Sequence, residues 1–346
     1  MKDKKDIRTL TNEELEDFIK KNNLPKFRAK QIWDWLWKKH VQSFKEMSSL
    51  PKELRSLLEK KYWINKIKIH TAEKSFDNTI KYGFMLHDQH LIEGVLIPSK
   101  KRLTACISSQ VGCSLSCKFC ATGKLKLKRN LTESEIYDQV VVLNQEALAY
   151  FGKPITNIVF MGMGEPLLNY KSLLTSINYI TTNKGLSMSP KRITVSTVGV
   201  AKIIKKLGDE NVKFNLAISL HSTNDKKRSE LMDINEKINL KELKESVNYF
   251  YDKTKSRVTY EYILLKNIND SLEDAKMLAD FSSDIPCKIN LIEYNPVDEI
   301  NYEKSSNKTT ELFINFLEKR KIIVNLRKSK GKDINAACGQ LANRFN

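Results

Sequence analysis

From about residue 101 onward the chain alternates short apolar runs with amphipathic helical patterns. That alternation restricts it to a parallel sheet covered by helices. Strand candidates are 103–108, 157–161, 192–197, 213–220, 257–264, 288–293 and 322–326. Helical patterns fill most of the gaps, as at 132–149, 239–253 and 308–320. Each strand–helix–strand step implies a right-handed crossover. About six such units suit a partial barrel better than the complete eightfold one. An open doubly wound sheet is the alternative. Ligands gather at the carboxyl ends of the strands in both. The expected fold class is therefore α/β, a partial (β/α)6 barrel preceded by a small helical accessory domain.

That accessory domain spans residues 1–70. Thr11 and Glu14 have capping-box spacing ahead of an apolar stripe. Phe27, Ile32, Trp33, Leu36 and Trp37 recur at helical intervals, and Pro51 sits where a third short helix opens. Trp33 and Trp37 can stack on bases, but a stripe at this spacing is more often core. Residues 71–98 read as a β-rich linker, with short strand patterns at 67–70, 79–85 and 91–97. Residues 99–346 form the core and its cysteine-bearing tail. The first 14 residues are polar and contain no leader-like apolar run, and no stretch has the ~18 to 20 apolar residues of a membrane span. A cytoplasmic protein without membrane contact is expected.

Charge points to a polyanionic partner. Lys and Arg number 59 against 41 Asp and Glu, a net charge of +18. A Lys-rich proteome is the competing explanation, since Asn, Ile and Lys are all frequent here. Position adds weight. Residues 1–70 hold 18 basic and 10 acidic side chains. Residues 118–129 and 319–332 are basic runs without an acid, the second holding Lys319, Arg320, Lys321, Arg327, Lys328, Lys330 and Lys332. The bases of residues 1–70 and 319–332 are expected to grip the negative charges of that partner.

Six cysteines in a cytosolic chain of this size argue for metal or redox chemistry rather than a disulfide framework. Cys113, Cys117 and Cys120 lie within eight residues, just past the first barrel strand. Three thiolates can hold three irons of a [4Fe–4S] cube and leave the fourth open to the amino and carboxylate groups of S-adenosylmethionine (SAM). A zinc site would want a fourth local Cys or His, and the nearest histidines in sequence are His90 and His221. A second signal is Gly162-Met163-Gly164-Glu165-Pro166, directly after an apolar strand. Two glycines let a ligand approach the backbone, and Glu165 can accept from an ammonium. No third glycine follows at the dinucleotide offset, which weakens the case for a conventional Rossmann methyltransferase. Ser196, Ser219-Leu220-His221 and Asn295 fall at further strand ends. Each alone is an ordinary cap or turn residue. Their common face raises the odds that some line a pocket. Cys338 sits among small residues in the tail, Cys106 on the first strand, and Cys287 in a strand where it reads as core.

Gln110-Val111-Gly112-Cys113, Cys117, Cys120, the Gly162–Pro166 run and Ala336-Ala337-Cys338-Gly339-Gln340-Leu341 together resemble the RlmN/Cfr family of radical SAM RNA methyltransferases. The resemblance covers nearly the whole chain. Pro166 is more like the housekeeping branch than the antibiotic-resistance branch. The resemblance implies a radical SAM barrel, one [4Fe–4S] cluster per chain on Cys113, Cys117 and Cys120, and two SAM molecules per turnover. It implies SAM contacts from Gly164, Glu165, Ser196, Ser219, Leu220, His221 and Asn295. The implied reaction methylates carbon 2 of adenine in 23S ribosomal RNA and in transfer RNA. One SAM methylates Cys338. A radical from the second SAM activates that methyl group, which adds to the base. Cys106 then attacks the Cys338 sulfur, forms a disulfide and frees the product, while Glu93 accepts the proton. Carbon 2 is electron-poor with an unactivated C–H, so a radical route avoids its mismatch with an electrophilic methyl, and two cysteines separate carrying from release. In a closed or nearly closed barrel the first and last strands are neighbours, which is how Cys106 and Cys338 are expected to meet. The implied partners are those RNAs and an electron donor such as flavodoxin or ferredoxin, with the enzyme a monomer. Attack at carbon 8, or another radical SAM substrate, is the alternative. A methylthiotransferase would need a second cysteine cluster, which the sequence lacks. A non-enzymatic RNA-binding protein with structural zinc is the remaining rival.

Overall fold

The computed structural model describes residues 4–183, 185–298 and 300–343, so the outermost residues of the first and last expected domains lie outside the described residues. The chain opens with strand β1 (Lys5–Asp6), helices α1 (Asn12–Lys21), α2 (Phe27–Trp37) and α3 (Lys52–Lys61), and strand β2 (Tyr62–Trp63), which pairs parallel with β1. The capping box closes in both directions: the Glu14 amide donates to Thr11 Oγ1 at 3.1 Å and the Thr11 amide to Glu14 Oε2 at 2.8 Å. Pro51 is the N-cap of α3 rather than its first residue. The tryptophan stripe faces inward. Trp37 is buried, with its ring 4.1 Å from Tyr179 and its carbonyl accepting from Tyr137 at 2.7 Å. Arg8 clamps the same contact, donating to both carboxylate oxygens of Asp138 at 2.6 and 2.8 Å.

Next come β3 (Lys68–Lys74), β4 (Ile80–Met85) and β5 (Leu91–Pro98), then β6 (Leu103–Cys106) and the short pair β7 (Gln110–Val111) and β8 (Arg129–Asn130). The alternating part runs α4 (Glu133–Phe151), β9 (Asn157–Phe160), α5 (Tyr170–Thr181), β10 (Ile193–Thr197), α6 (Ala201–Asp209) and β11 (Asn215–Ser219). It continues with α7 (Asp225–Leu231), α8 (Leu240–Thr254), β12 (Val258–Leu264), α9 (Leu272–Phe281), β13 (Cys287–Glu293), α10 (Asn307–Lys319) and β14 (Ile323–Arg327). One sheet of ten strands has the order β14-β13-β12-β11-β10-β9-β6-β5-β4-β3. From β6 to β14 every pairing is parallel, while β3, β4 and β5 add on antiparallel. The segment expected as a linker thus extends the barrel sheet itself. Parallel strands covered on both faces are buried and mostly apolar, as in β12, where all seven residues are buried.

The sheet curls far enough that its distant strands face one another. Arg327, at the end of β14, reaches Glu261 on β12 at 3.2 Å and the Met161 sulfur just past β9 at 3.6 Å. Yet β6 and β14 do not pair, because the free edge of β6 is taken by β5. The expected meeting of first and last barrel strands therefore does not occur. Residues 331–343 bridge the seam instead. The Gly331 amide donates to Asp77 Oδ2 at 3.1 Å, Ser75 Oγ to Asp333 Oδ1 at 2.6 Å, and Asn343 Nδ2 to the Leu91 carbonyl at 2.8 Å. Among the described residues no helix is long and apolar enough to cross a membrane.

Candidate active site

Cys113, Cys117 and Cys120 occupy the long loop between β7 and β8. The Cys113 amide bonds the Leu125 carbonyl at 3.2 Å, the Cys120 amide bonds the Cys117 carbonyl at 3.2 Å, and Lys118 is tied to the end of α7 through the Leu231 carbonyl at 2.9 Å. All three thiols are free. Burial pushes each of them up, Cys113 to about 11, and the neighbouring cysteines push in the same direction. Three half-buried thiols whose charged forms are all disfavoured are a donor set that a polycation would discharge. Among the described residues no three ligating side chains converge as a single metal ion requires. A cube binds its thiolates at separate corners, so this spread is compatible with a cluster.

Two adjoining cavities of about 140 and 160 Å³ lie beside the loop. Cys120, Met161, Ile292, Arg327 and Cys338 line both. The larger collects Gly164, Glu165, Ser196, Ser219 and His221 from three successive strand ends. Ser196 Oγ and Ser219 Oγ lie 3.4 Å apart. His221 sits in the left-handed region, and its Nδ1 accepts from the Ile263 amide at 3.1 Å. Burial, with Arg228 adding, lowers its pKa to about 3. The ring is therefore neutral, with its proton on Nε2 as a donor. Glu165 is buried, and its oxygens accept from the Leu167 and Val198 amides at 2.9 Å each. Burial raises its pKa to about 7 against those two bonds. A cationic ligand in the cavity would offset that penalty.

The two glycines, which both line the larger cavity, have a second reason beside the one expected. A Cβ on Gly162 would sit 2.7 Å from the Ile107 backbone, and one on Gly164 would sit 2.5 Å from Gln110. Close packing of the loop onto residues 107–110 requires both. Leu220 is buried in the core and lines neither cavity; its backbone bonds Glu261 and Arg228. Asn295 is also off the cavity walls. Its Nδ2 donates to the Cys338 carbonyl at 3.2 Å, and its buried Oδ1 has no partner.

The smaller cavity brings Cys106 and Cys338 together, with Lys328, Ser329 and Lys330 at its rim. Burial and Cys338 push the Cys106 thiol up to about 12, and the Arg327 guanidinium pulls the other way. Cys338 is exposed. Its neighbours are clamped: the Ala121 amide donates to the Gly339 carbonyl at 2.7 Å, Thr122 Oγ1 to the Leu341 carbonyl at 2.6 Å, and Gln340 to the Pro296 carbonyl at 2.9 Å. Glu93 is on neither cavity wall. It is 1% exposed, 3.8 Å from Lys81, with Oε2 unpartnered. Cys287 is half-buried at the start of β13, with Sγ 3.4 Å from the Ser282 carbonyl, so it is less enclosed than expected.

Sequence reasoning passed over Glu261 and Arg228. Glu261 is the one acid within the apolar strand β12, and that isolation was its signal. Arg228 is buried and holds the Leu220 and Val198 carbonyls and Asn235. Nothing in its helical context marked it. The basic run also needs correction. Arg320 pairs with Asp280, Arg327 with Glu261, Lys330 with Asp77 and Lys332 with Glu293. Acids absent from the run in sequence reach it through the fold. Lys319, Lys321 and Lys328 have no ion pair among the described residues.

Comparison with known proteins gives a consistent picture. The family model of the Radical SAM superfamily matches residues 107–281, and that of the ribosomal RNA large subunit methyltransferase N-terminal domain matches residues 5–64. The chain is 54% identical to a probable dual-specificity RNA methyltransferase RlmN of Cytophaga hutchinsonii, over 98% of this chain and 93% of that one. It is 41% identical to the dual-specificity RNA methyltransferase RlmN of Geotalea uraniireducens, over 99% and 98%. The crystal structure of a radical SAM methyltransferase from Sphaerobacter thermophilus superposes with a TM-score of 0.91 at 37% identity, covering 97% of this chain and 99% of that one.

Proposed function

The chain belongs to the RlmN family of radical SAM RNA methyltransferases, and from that premise we propose that it methylates carbon 2 of adenine in 23S ribosomal RNA and in transfer RNA by way of a methylated Cys338. The observation that carries this reading is the shared cavity of Cys106 and Cys338, next to the cysteine loop and the Glu165–His221 cavity. Cys113, Cys117 and Cys120 would hold the cluster, which with SAM supplies the radical that activates an unreactive C–H bond.

The other residues divide the remaining work. Glu165 offers a carboxylate to the ligand's ammonium, and His221 offers the Nε2 proton. Asn295 fixes the Cys338 backbone, so that only the side chain has to travel between cofactor and base. Cys338 carries the carbon. The Cys106 thiol loses its proton and attacks the Cys338 sulfur, the bond from sulfur to the transferred carbon breaks with its electron pair going to that carbon, the carbon takes up a proton to become the methyl group, and a disulfide remains. Glu93, with a pKa raised by burial to about 7, is suited to take the carbon-2 proton near neutral pH.

The test is mass spectrometry of methyladenosine isomers in ribosomal and transfer RNA treated with the reduced, SAM-supplied holoenzyme. The 2-methyl isomer is expected in both. An 8-methyl product would move the attack to the other carbon, and unmodified RNA would refute the reading. Cys106→Ala should accumulate a covalent protein–RNA adduct through Cys338, and Cys338→Ala should form none.

A further inference from the structure

The turn between β3 and β4 carries a phenylalanine that the mechanism does not use. Phe76 is 97% exposed, whereas every other exposed large apolar side chain among the described residues is at most 55% exposed. Its backbone is held firmly. The Phe76 amide donates to Asp333 Oδ2 at 3.1 Å, and Ser75 on one side is buried and bonded to the same carboxylate. The Ser75 amide bonds the Thr79 carbonyl at 2.8 Å, and Thr79 is fully buried. Asp77, the next residue, accepts from the Gly331 amide and lies 3.7 Å from Lys330 Nζ. Lys330 and Lys328 in turn form the rim of the cavity that holds Cys338. An aromatic ring standing free on a rigid base, beside lysines at the mouth of a cavity, is the arrangement that holds an unpaired nucleotide. The ring face stacks on a base and the ammonium groups meet phosphates. The pinned turn means little conformational freedom is lost on stacking.

We propose that Phe76 stacks on an unpaired base of the RNA substrate next to the reacting adenine, and that Lys328 contacts the adjoining phosphate. The inference rests on the RNA-methylation reading and adds a positioning residue to it. Phe76 is 97% exposed, so its removal should leave the fold intact, and thermal melting of each variant checks this.

The experiment measures binding of the full-length holoenzyme to a labelled RNA hairpin with an unpaired adenosine in its loop, across a salt series. Phe76→Ala should weaken binding about 5- to 150-fold, the range for one base–aromatic stack. Its log–log salt slope should match wild type, because a stack releases no counterions. Lys328→Ala should instead lower the slope by about 0.7 to 0.9. Phe76→Trp should restore binding and Phe76→Leu should not. Methylation of Cys338 by SAM, which needs no RNA, should be equal in wild type and the three Phe76 variants. Phe76→Ala binding within twofold of wild type, or full rescue by leucine, would overturn the proposal while leaving the methylation reading intact. Failure of the wild type to bind the hairpin at all would overturn both.

Discussion

Glu93→Gln tests the electrostatics of the region under the tail. Glu93 is buried, and burial raises its pKa from the ordinary 4.5 to about 7, although Lys81 and the amides of Asn343 and Ala342 lower it. A raised carboxyl pKa means that the folded state keeps a proton the unfolded chain has lost. The associated stability is complete below pH 4.5, falls as pH rises through 7, and then levels off. At about 1.4 kcal/mol per pH unit, that interval corresponds to about 3 kcal/mol. Glutamine has the shape of the protonated acid and carries no charge. Glu93→Gln should therefore exceed wild type by less than about 1 kcal/mol in urea denaturation at pH 5 and by about 3 kcal/mol at pH 8. Lys81 keeps its contact with Glu73 at 2.9 Å in both proteins, so the difference belongs to Glu93. The same variant should methylate Cys338 and fail to complete RNA methylation. An identical stability difference at the two pH values would refute the argument that Glu93 is held neutral by burial.

Three further outcomes are expected. Simultaneous replacement of Cys113, Cys117 and Cys120 by alanine should remove essentially all of the roughly four irons per chain that anaerobic purification retains, by iron and sulfide analysis. Arg228→Met should destabilise the fold by about 3 kcal/mol or more, because it leaves the Leu220 and Val198 carbonyls buried without a donor; chemical denaturation reads this directly. Replacing Lys319, Lys321 and Lys328 together should reduce the salt slope of RNA binding by about 2 to 3, whereas replacing Lys330 and Lys332, already paired with Asp77 and Glu293, should change it little.

The strand–helix alternation was legible because parallel strands read as mostly apolar runs and helices repeat at 3.6. All seven barrel strands fall where those patterns place them, with boundaries shifted by a residue or two. The cysteine loop and the strand-end cluster of Glu165, Ser196, Ser219 and His221 were legible for a related reason: a parallel barrel sends the ends of successive strands to one face. What pattern alone cannot supply is contact between distant segments. Residues 71–98 read as a linker because nothing local says that β5 will occupy the edge of β6. Lys332 looked unopposed because Glu293 lies 39 residues away. Arg327 looked like one more surface base, yet its fold neighbours are Glu261 and the two cysteines of the smaller cavity.

The bridged seam has a consequence for how the protein is made. Synthesis proceeds from the amino end, so the cysteine loop and both halves of the gap exist before residues 331–343 do. The hydrogen bonds from Ala121 and Thr122 to Gly339 and Leu341 can form only after those last segments leave the ribosome. Until then the thiols proposed to hold the cluster lack the roof that residues 339 and 341 supply. The segment bearing Cys338 comes down afterwards, so the order of translation lets loading precede closure.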